Sequence, residues 1–379
     1  MKKFVIFFSI VLSIYSLINL YIFQAGWSAI PSQSNYRVFY VAFFFLVSTS
    51  FIVGRILGRK ALSAFAETLT WIGSFWLAWM LYLFLFVVLL DVTAIVNDRV
   101  QFLPENGSLS KPGIAALVSF STLVIVLFGH LNARTPRVKK IQLSVSKTAP
   151  GHKSMRIVVA SDIHLGTIIG KSRINKIVGI INRLDPDLVL LPGDVVDEDL
   201  APVIKENLGE SLRNIKSRFG VISVTGNHEF IGGVGAASRY LQDHGITVLR
   251  DETVKIDDSF YVVGRDDRSV NRFNGHMRKT LDQLTAGLDK RLPMVLMDHQ
   301  PFHLEESVKS GIDLQLSGHT HHGQLWPLNF ITKKVFEVSW GYKKIDNTHI
   351  YVSSGVGTWG PPVRVGNRPE IVQIDLKFV

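Results

Sequence analysis

The chain has 379 residues, 47% of them hydrophobic, with 41 Lys+Arg against 31 Asp+Glu and a formal charge of +10; an apolar content of that size excludes intrinsic disorder. The excess charge is confined to the first part: 13 basic and 4 acidic residues precede position 151, against 28 and 27 from there on. The second part is therefore nearly neutral, which disfavours a nucleic-acid-binding protein, because phosphate neutralisation needs a basic face on the folded domain. With no cysteine in the chain, disulfides, thiolate metal sites and thiol catalysis are ruled out, and any metal must be held by His, Asp, Asn or Glu.

Four stretches, Phe4–Phe23, Val38–Gly54, Thr68–Leu90 and Pro112–Ala133, are long and apolar enough to cross a hydrocarbon core of about 30 Å. Residues 1–133 are accordingly predicted to form an all-α bundle of four transmembrane helices. The second stretch is the shortest, and Arg55 must snorkel to the interface for it to span. A cleaved signal peptide is the rival reading of the first; the apolar run is too long for it, and no small-residue cleavage site follows. With the N-terminus inside, the inner side carries Lys2, Lys3, Arg55, Arg59, Lys60, Arg134, Arg137, Lys139 and Lys140, and the outer side only Arg37, Arg99 and Lys111. The cation bias predicts a multi-pass inner or plasma membrane protein whose part after residue 134 is cytoplasmic. Glu67 and Asp91 only bound the third span and His130 lies near the end of the fourth, so an anchor is favoured over an ion pathway.

A basic linker with a possible first strand, residues 134–153, leads to a segment, 154–379, where short apolar runs alternate with amphipathic ones. Arg156–Ala160, Leu188–Leu191, Val221–Val224, Tyr261–Val263, Met294–Met297, Leu314–Leu316 and Ile350–Val352 read as strands, and Ser172–Leu184 and Ala201–Lys216 as helices. That alternation predicts an α/β domain. Polar cassettes follow five of the strands, where open α/β sheets place ligands. They are Ser161-Asp162-Ile163-His164, Gly193-Asp194-Val195-Val196-Asp197, Gly226-Asn227-His228-Glu229, Asp298-His299-Gln300 and Gly318-His319-Thr320-His321-His322.

Taken singly, each cassette fits a turn or a helix cap. Together they are hard to reconcile with a purely structural core, which avoids unpaired polar groups, and they point to metal binding. Two divalent cations about 3.5–4 Å apart need an anionic bridge, neutral imidazoles and open positions. Aspartate can bridge, and His and Asn complete the spheres without repelling a phosphate. The mixed N and O set suits Mn, Fe, Zn or Co better than Mg or Ca, with manganese favoured. The chemistry implied is hydrolysis of a phosphoester.

These cassettes resemble the pattern of the calcineurin-like metallophosphoesterases, DxH, GDxxD, GNHE/D, a lone His and GHxH, all present in order across roughly residues 155–325. Gly323, Gln324, the run Ser353-Ser354-Gly355-Val356-Gly357-Thr358, Pro362, Arg364 and Pro369-Glu370 resemble the bacterial membrane-associated (YkuE/YaeI-like) branch. The four spans lie outside the resemblance. It implies a four-layer α/β/β/α sandwich, a first metal on Asp162, His164 and His321, a second on Asn227, His299 and His319, and Asp194 bridging them. A hydroxide shared by the ions would attack phosphorus in line. His228 would sit over the leaving group as catalytic donor and Asp197 would orient its ring. Where the family's Ser/Thr protein phosphatases follow GDxxD with a phosphate-gripping arginine, this chain has Glu198, which weakens a phosphoprotein substrate. Arg364 is a candidate phosphate contact. His303 and His322 have no place in the pattern and are expected either to back the ligands without touching a metal or to be structural, while Trp326, Phe330 and Trp359 either pack or line an acyl or base pocket.

The function expected is a membrane-anchored phosphohydrolase cleaving a phosphomonoester, phosphodiester or pyrophosphate, with membrane lipids as partners. A lipid-linked or nucleotide-linked substrate fits, such as the UDP-diacylglucosamine handled by some relatives of the family. The rivals are a metal-binding membrane receptor or scaffold without catalysis, and a metal-dependent nuclease.

Overall fold

The computed structural model describes residues 2–60, 63–102, 109–273, 275 and 277–379, and the chain divides into two units, Met1–Gly129 and His130–Val379. Four helices carry the apolar stretches: α1 (Lys2–Ala29), α2 (Tyr36–Lys60), α3 (Ala64–Val100) and α4 (Lys111–Ala133), whose last turn belongs to the second unit. Each includes a segment long and apolar enough to cross a membrane. α3 outruns the expected Thr68–Leu90: its 37 residues, at about 1.5 Å each, extend well past a core of about 30 Å. Asp91, expected at the boundary, lies inside the helix, and Tyr21 of α1 donates a hydrogen bond to it.

Helices α2 and α3 approach closely because glycine leaves room. A Cβ on Gly73 would fall 2.2 Å from the backbone nitrogen of Phe51. Ile22, Phe44, Val47 and Trp76 are buried together, and the Trp76 indole donates to Asn19 Oδ1 at 3.0 Å. Facing outward, Phe39, Phe43, Phe120 and Phe128 are exposed, the surface expected of helices whose solvent is lipid.

The second unit is built on two six-stranded sheets. One has the order β1 (Arg137–Val145), β12 (Glu370–Phe378), β2 (Ser154–Val159), β3 (Leu188–Pro192), β4 (Val221–Val224), β5 (Ile246–Leu249). The other runs β10 (Gly341–Ile345), β11 (Thr348–Val352), β9 (Leu314–Ser317), β8 (Met294–Met297), β7 (Phe260–Gly264), β6 (Glu252–Ile256). Strands β2 to β5 are parallel in the first sheet, and β7, β8, β9 and β11 in the second.

The sheets share one core. Ile157, Val159, Leu188, Leu190 and Ile222 from the first meet Val262, Val295, Met297, Leu314 and Leu316 from the second. Because side chains alternate along a strand, Val158, Val189, Leu191 and Val221 point the other way. They are covered by helices α5 (Lys171–Arg183), α6 (Ala201–Lys205), α7 (Gly209–Arg213) and α9 (Val234–Asp243); α8 (Asn227–Gly232) precedes α9. In α5, Ile174, Ile177, Val178 and Ile181 recur at helical spacing and are all buried, a stripe on one face. Further on come the short helices α10 (Val270–Phe273), α11 (Leu281–Thr285), α12 (Leu304–Lys309) and α13 (Asn329–Val335), of which α11 and α12 pack on the second sheet. Leu281 and Leu284 of α11 pack on Val263 and Leu296, and the layering is α/β/β/α.

The seven expected strands coincide with β2, β3, β4, β7, β8, β9 and β11 to within two residues at either end. The possible first strand of the linker is β1, and the strands missed are β12 and three of the sheet edges, β5, β6 and β10. An edge strand is half solvated, so its apolar signal is diluted; β1 and β10 are mostly exposed along their length. The single helix expected over Ala201–Lys216 is instead α6 and α7. The chain turns between them at Asn207, with φ 48°.

Every expected ligand stands just beyond the carboxyl end of a parallel strand. Asp162 and His164 follow β2, Asp194 and Asp197 follow β3, Asn227 and His228 follow β4, His299 follows β8, and His319 and His321 follow β9. The two sheets thus bring five loops to one edge.

Candidate metal centre

The loops carry their ligands in unusual backbone conformations. Asp162 (φ 53°), His164 (54°), Asp194 (52°), His319 (70°) and His321 (46°) all lie in the left-handed region. Non-glycine residues rarely adopt it, and such strain persists only where the surroundings impose it. Glycines give the clearance that the carboxylates need: a Cβ on Gly226 would fall 2.2 Å from Asp194 Oδ1, and one on Gly318 2.3 Å from Asp162 Oδ2.

Two ligand groups result, Asp162 with His164 and His321, and Asp194 with His299 and His319. In the first, the Nε2 atoms of His164 and His321 stand 3.0 Å apart, and His321 Nε2 is 3.5 Å from Asp162 Oδ1. In the second, His299 Nε2 lies 3.1 Å from Asp194 Oδ2 and 3.2 Å from Asn227 Oδ1. His319 Nδ1 is 2.8 Å from the same Asn227 oxygen. Asp194 also reaches the first group, 3.8 Å from His164 Nε2, where a bridging carboxylate must stand.

The donors fit divalent cations. His299 gives its Nδ1 proton to the Pro192 carbonyl at 2.8 Å, so its Nε2 is turned on two oxygens, an arrangement that needs a proton or cation between them. Asp162 Oδ2 and His164 Nδ1 are buried without a hydrogen-bond partner, which natural cores avoid unless an ion or water completes them. Burial opposes the Asp194 charge, yet His299 and His228 outweigh it and hold the carboxyl well below its ordinary value. Burial, reinforced by the Asp194 charge, lifts Asp162 to about 6 against the pull of His299. Burial also keeps His164 and His321 neutral, far below the usual imidazole value, as metal ligation requires.

His228 is set apart from the ligands. A third possible group joins it to His164 and Asp194, but its Nδ1 donates to Asp197 Oδ1 at 2.9 Å, and its ring stands edge-on to His164 with centroids 4.5 Å apart. Burial disfavours the imidazolium, but Asp194, Asp197 and Glu198 outweigh it and raise its pKa to about 9.

The family model for the calcineurin-like phosphoesterases matches residues 155–323. An uncharacterized metallophosphoesterase of Aquifex aeolicus is 30% identical over 260 residues, covering 68% of this chain and 98% of that protein. This chain belongs to the calcineurin-like phosphoesterases. The metallophosphoesterase YkuE of Bacillus subtilis is 31% identical over 238 residues, 60% of this chain and 80% of its own. A transmembrane protein with metallophosphoesterase domain from Danio rerio is 31% identical over 285 residues, 72% of this chain; the chain spans 64% of that relative's length.

Two residues of this phosphoesterase site do work that the sequence reading did not assign. Glu229, inside the GNHE cassette, is buried and accepts backbone N–H groups from Asp194 (3.1 Å), Val196 (3.0 Å) and Gly226 (2.8 Å). It thereby ties the β3 loop to the β4 loop; its place in the motif was the available signal. Arg364 corrects the expectation of a phosphate contact: it is fully buried. Its guanidinium donates to the carbonyls of Ser354 (2.7 Å) and Gly357 (2.8 Å) and to Asn367 Oδ1 (2.9 Å), with one nitrogen 3.1 Å from His321 Nδ1. It braces the loop behind His321. Arg364→Ala should strand several buried carbonyls and cost about 3 kcal/mol. The expected result is a fall in melting temperature of about 6–12 °C, measured on the purified chain in detergent.

The remaining expectations divide. His322 is structural, with Nδ1 3.0 Å from Ser339 Oγ and its ring beside Trp340, and His303 is exposed beside Glu305. Trp326, Phe330 and Trp359 are each about half exposed, and the Trp359 ring stands edge-on to His228.

Proposed function

We propose that this chain is a membrane-anchored, dinuclear-metal-dependent phosphohydrolase acting on a phosphoester or pyrophosphate. The observation that carries this reading is the convergence of Asp162, His164 and His321 with Asp194, Asn227, His299 and His319 beside a His228–Asp197 pair. When bound, two divalent cations supply Lewis-acid charge and an acidified water for attack on phosphorus. The chain's own part is to fix the cations' ligands, with His164 and His321 kept neutral by burial, and to present a protonated His228 to the departing oxygen. Asp197 accepts the Nδ1 proton and sets the ring plane, which leaves the Nε2 proton for the departing oxygen.

Manganese is the metal favoured for the mixed N and O donors. Four helices with nine inner-side cations against three outer ones support a multi-pass protein with a cytoplasmic catalytic unit. Anchoring favours a lipid-linked or nucleotide-linked lipid substrate.

The test is hydrolysis of bis-p-nitrophenyl phosphate, p-nitrophenyl phosphate and a UDP-linked lipid by the full-length chain, stripped of metal and reconstituted with Mn²⁺. Turnover that appears with Mn²⁺ and disappears on chelation is expected, and the preferred substrate separates diesterase, monoesterase and pyrophosphatase. Tight Mn²⁺ binding with all three substrates intact would replace this reading with the metal-binding receptor.

A further inference from the structure

The loops around the metal centre leave large apolar side chains in solvent. Helix α13 has no buried residue: Phe330 is 58%, Ile331 60% and Val335 55% exposed, next to the exposed cations Lys333 and Lys334. Trp326 and Trp359 are also about half exposed, at 49% and 52%. This rim is built into the site. The Trp359 ring stands edge-on to His228 with centroids 5.9 Å apart, and Phe336, directly after α13, approaches His319 at 5.9 Å. Gln324 joins the two sides: its amide donates to the Trp359 and Pro361 carbonyls at 2.9 Å and its oxygen accepts from Trp359 N at 3.0 Å. Trp326 N donates to the Val365 carbonyl at 2.9 Å.

The position of the rim within the catalytic unit indicates what covers it. Residues 130–133, which fold with that unit, are the last turn of the fourth apolar helix. His130 Nδ1 donates to the Pro362 carbonyl at 2.7 Å, and Asn132 Nδ2 to the carbonyls of Arg364 (2.9 Å) and Asn367 (2.7 Å). The loop that carries Trp359 is therefore tied to the point where the chain leaves its last membrane-length helix. Tryptophan, phenylalanine and aliphatic side chains with adjacent lysines are the composition of surfaces that lie in the headgroup layer, and lysine favours anionic lipid.

We propose that α13, Trp326 and Trp359 seat on an anionic bilayer surface, so that the metal centre opens onto the headgroup layer and takes substrates whose phosphate lies there. The substrate part rests on the phosphohydrolase reading; the seating does not. Because the chain has no cysteine, Phe330→Cys and, away from the rim, the exposed Ile204→Cys each accept one fluorescent label. The full chain is reconstituted into phosphatidylcholine vesicles with about 30% phosphatidylglycerol and a headgroup-level quenching lipid. Quenching at 330 is expected to exceed that at 204 by at least about threefold. Vesicles of phosphatidylcholine alone, or Lys333→Glu with Lys334→Glu, should shrink the difference by about half or more. Equal quenching at the two positions overturns the proposal. So does a label at 330 shielded from both the quenching lipid and aqueous iodide, which would place a protein surface there. No turnover enters this readout, so an inactive protein with a quenched label would count against the hydrolase reading alone.

Discussion

Asp194→Asn is expected to lower kcat/KM for phosphoester hydrolysis by at least about 10³-fold and to release metal from both positions. The reason is geometric: Asp194 Oδ2 stands 3.1 Å from His299 Nε2 and 3.8 Å from His164 Nε2, one ligand from each group. An amide keeps the shape and removes the charge that reaches both groups. Its Oδ1 already accepts His228 N at 2.9 Å, so the change also loosens the turn that carries His228. The loss of metal should exceed the roughly 10- to 100-fold that an outer hydrogen-bond partner costs. Metal content by atomic spectroscopy beside kinetics decides the matter. Full activity with two equivalents of Mn²⁺ retained would show that Asp194 bridges nothing.

His228→Ala is expected to separate chemistry from metal binding. Its Nδ1 is committed to Asp197 rather than to the ligand groups, so metal content should stay at the wild-type level while kcat falls by about 10²–10⁴-fold. The fall should depend on the leaving group. p-Nitrophenolate departs without a proton and should lose least, whereas an alkyl ester, whose oxygen needs the proton, should lose most. The sign of the pH dependence follows from the raised pKa: the proton is present below it and lost as pH rises through it. Wild-type kcat should therefore decline on an alkaline limb between the free-imidazole value of about 6.5 and about 9. The limb lies below 9 to the extent that a cation on Asp194 neutralises one of the charges that raise it. Rate profiles for wild type and His228→Ala over pH 6–10 test this. An unchanged limb in the variant, or an equal loss for both leaving groups, would assign His228 a structural role.

Much of this was legible in residue order because the site is assembled from strand ends. A fully buried parallel strand has to be apolar throughout, so β3 and β8 stand out, and the polar cassette that follows each one marks the sheet edge. The four apolar helices are equally local in origin, since length and hydropathy alone make them membrane-length. The edges β6 and β10 were not legible, because their residues answer to solvent on one side. Nor did the apolar pattern show where α3 stops, since Asp91 inside it is held by Tyr21 across a neighbouring helix.

Residue types and their order by themselves determined a cysteine-free candidate metal site of N and O donors on an α/β domain behind four apolar helices, because each cassette is a short-range feature of its own strand. Only the tertiary structure decided what the lone side chains do. Arg364 looked like a phosphate ligand as an isolated cation, and it became a brace for His321 once the 354–367 loop closed around it. Trp326, Phe330 and Trp359 could have packed or lined a pocket, and each stands about half exposed, with the backbone at Trp359 pinned to Gln324. Burial and partnership depend on contacts between segments far apart in the chain, and those exist only after the two sheets have met.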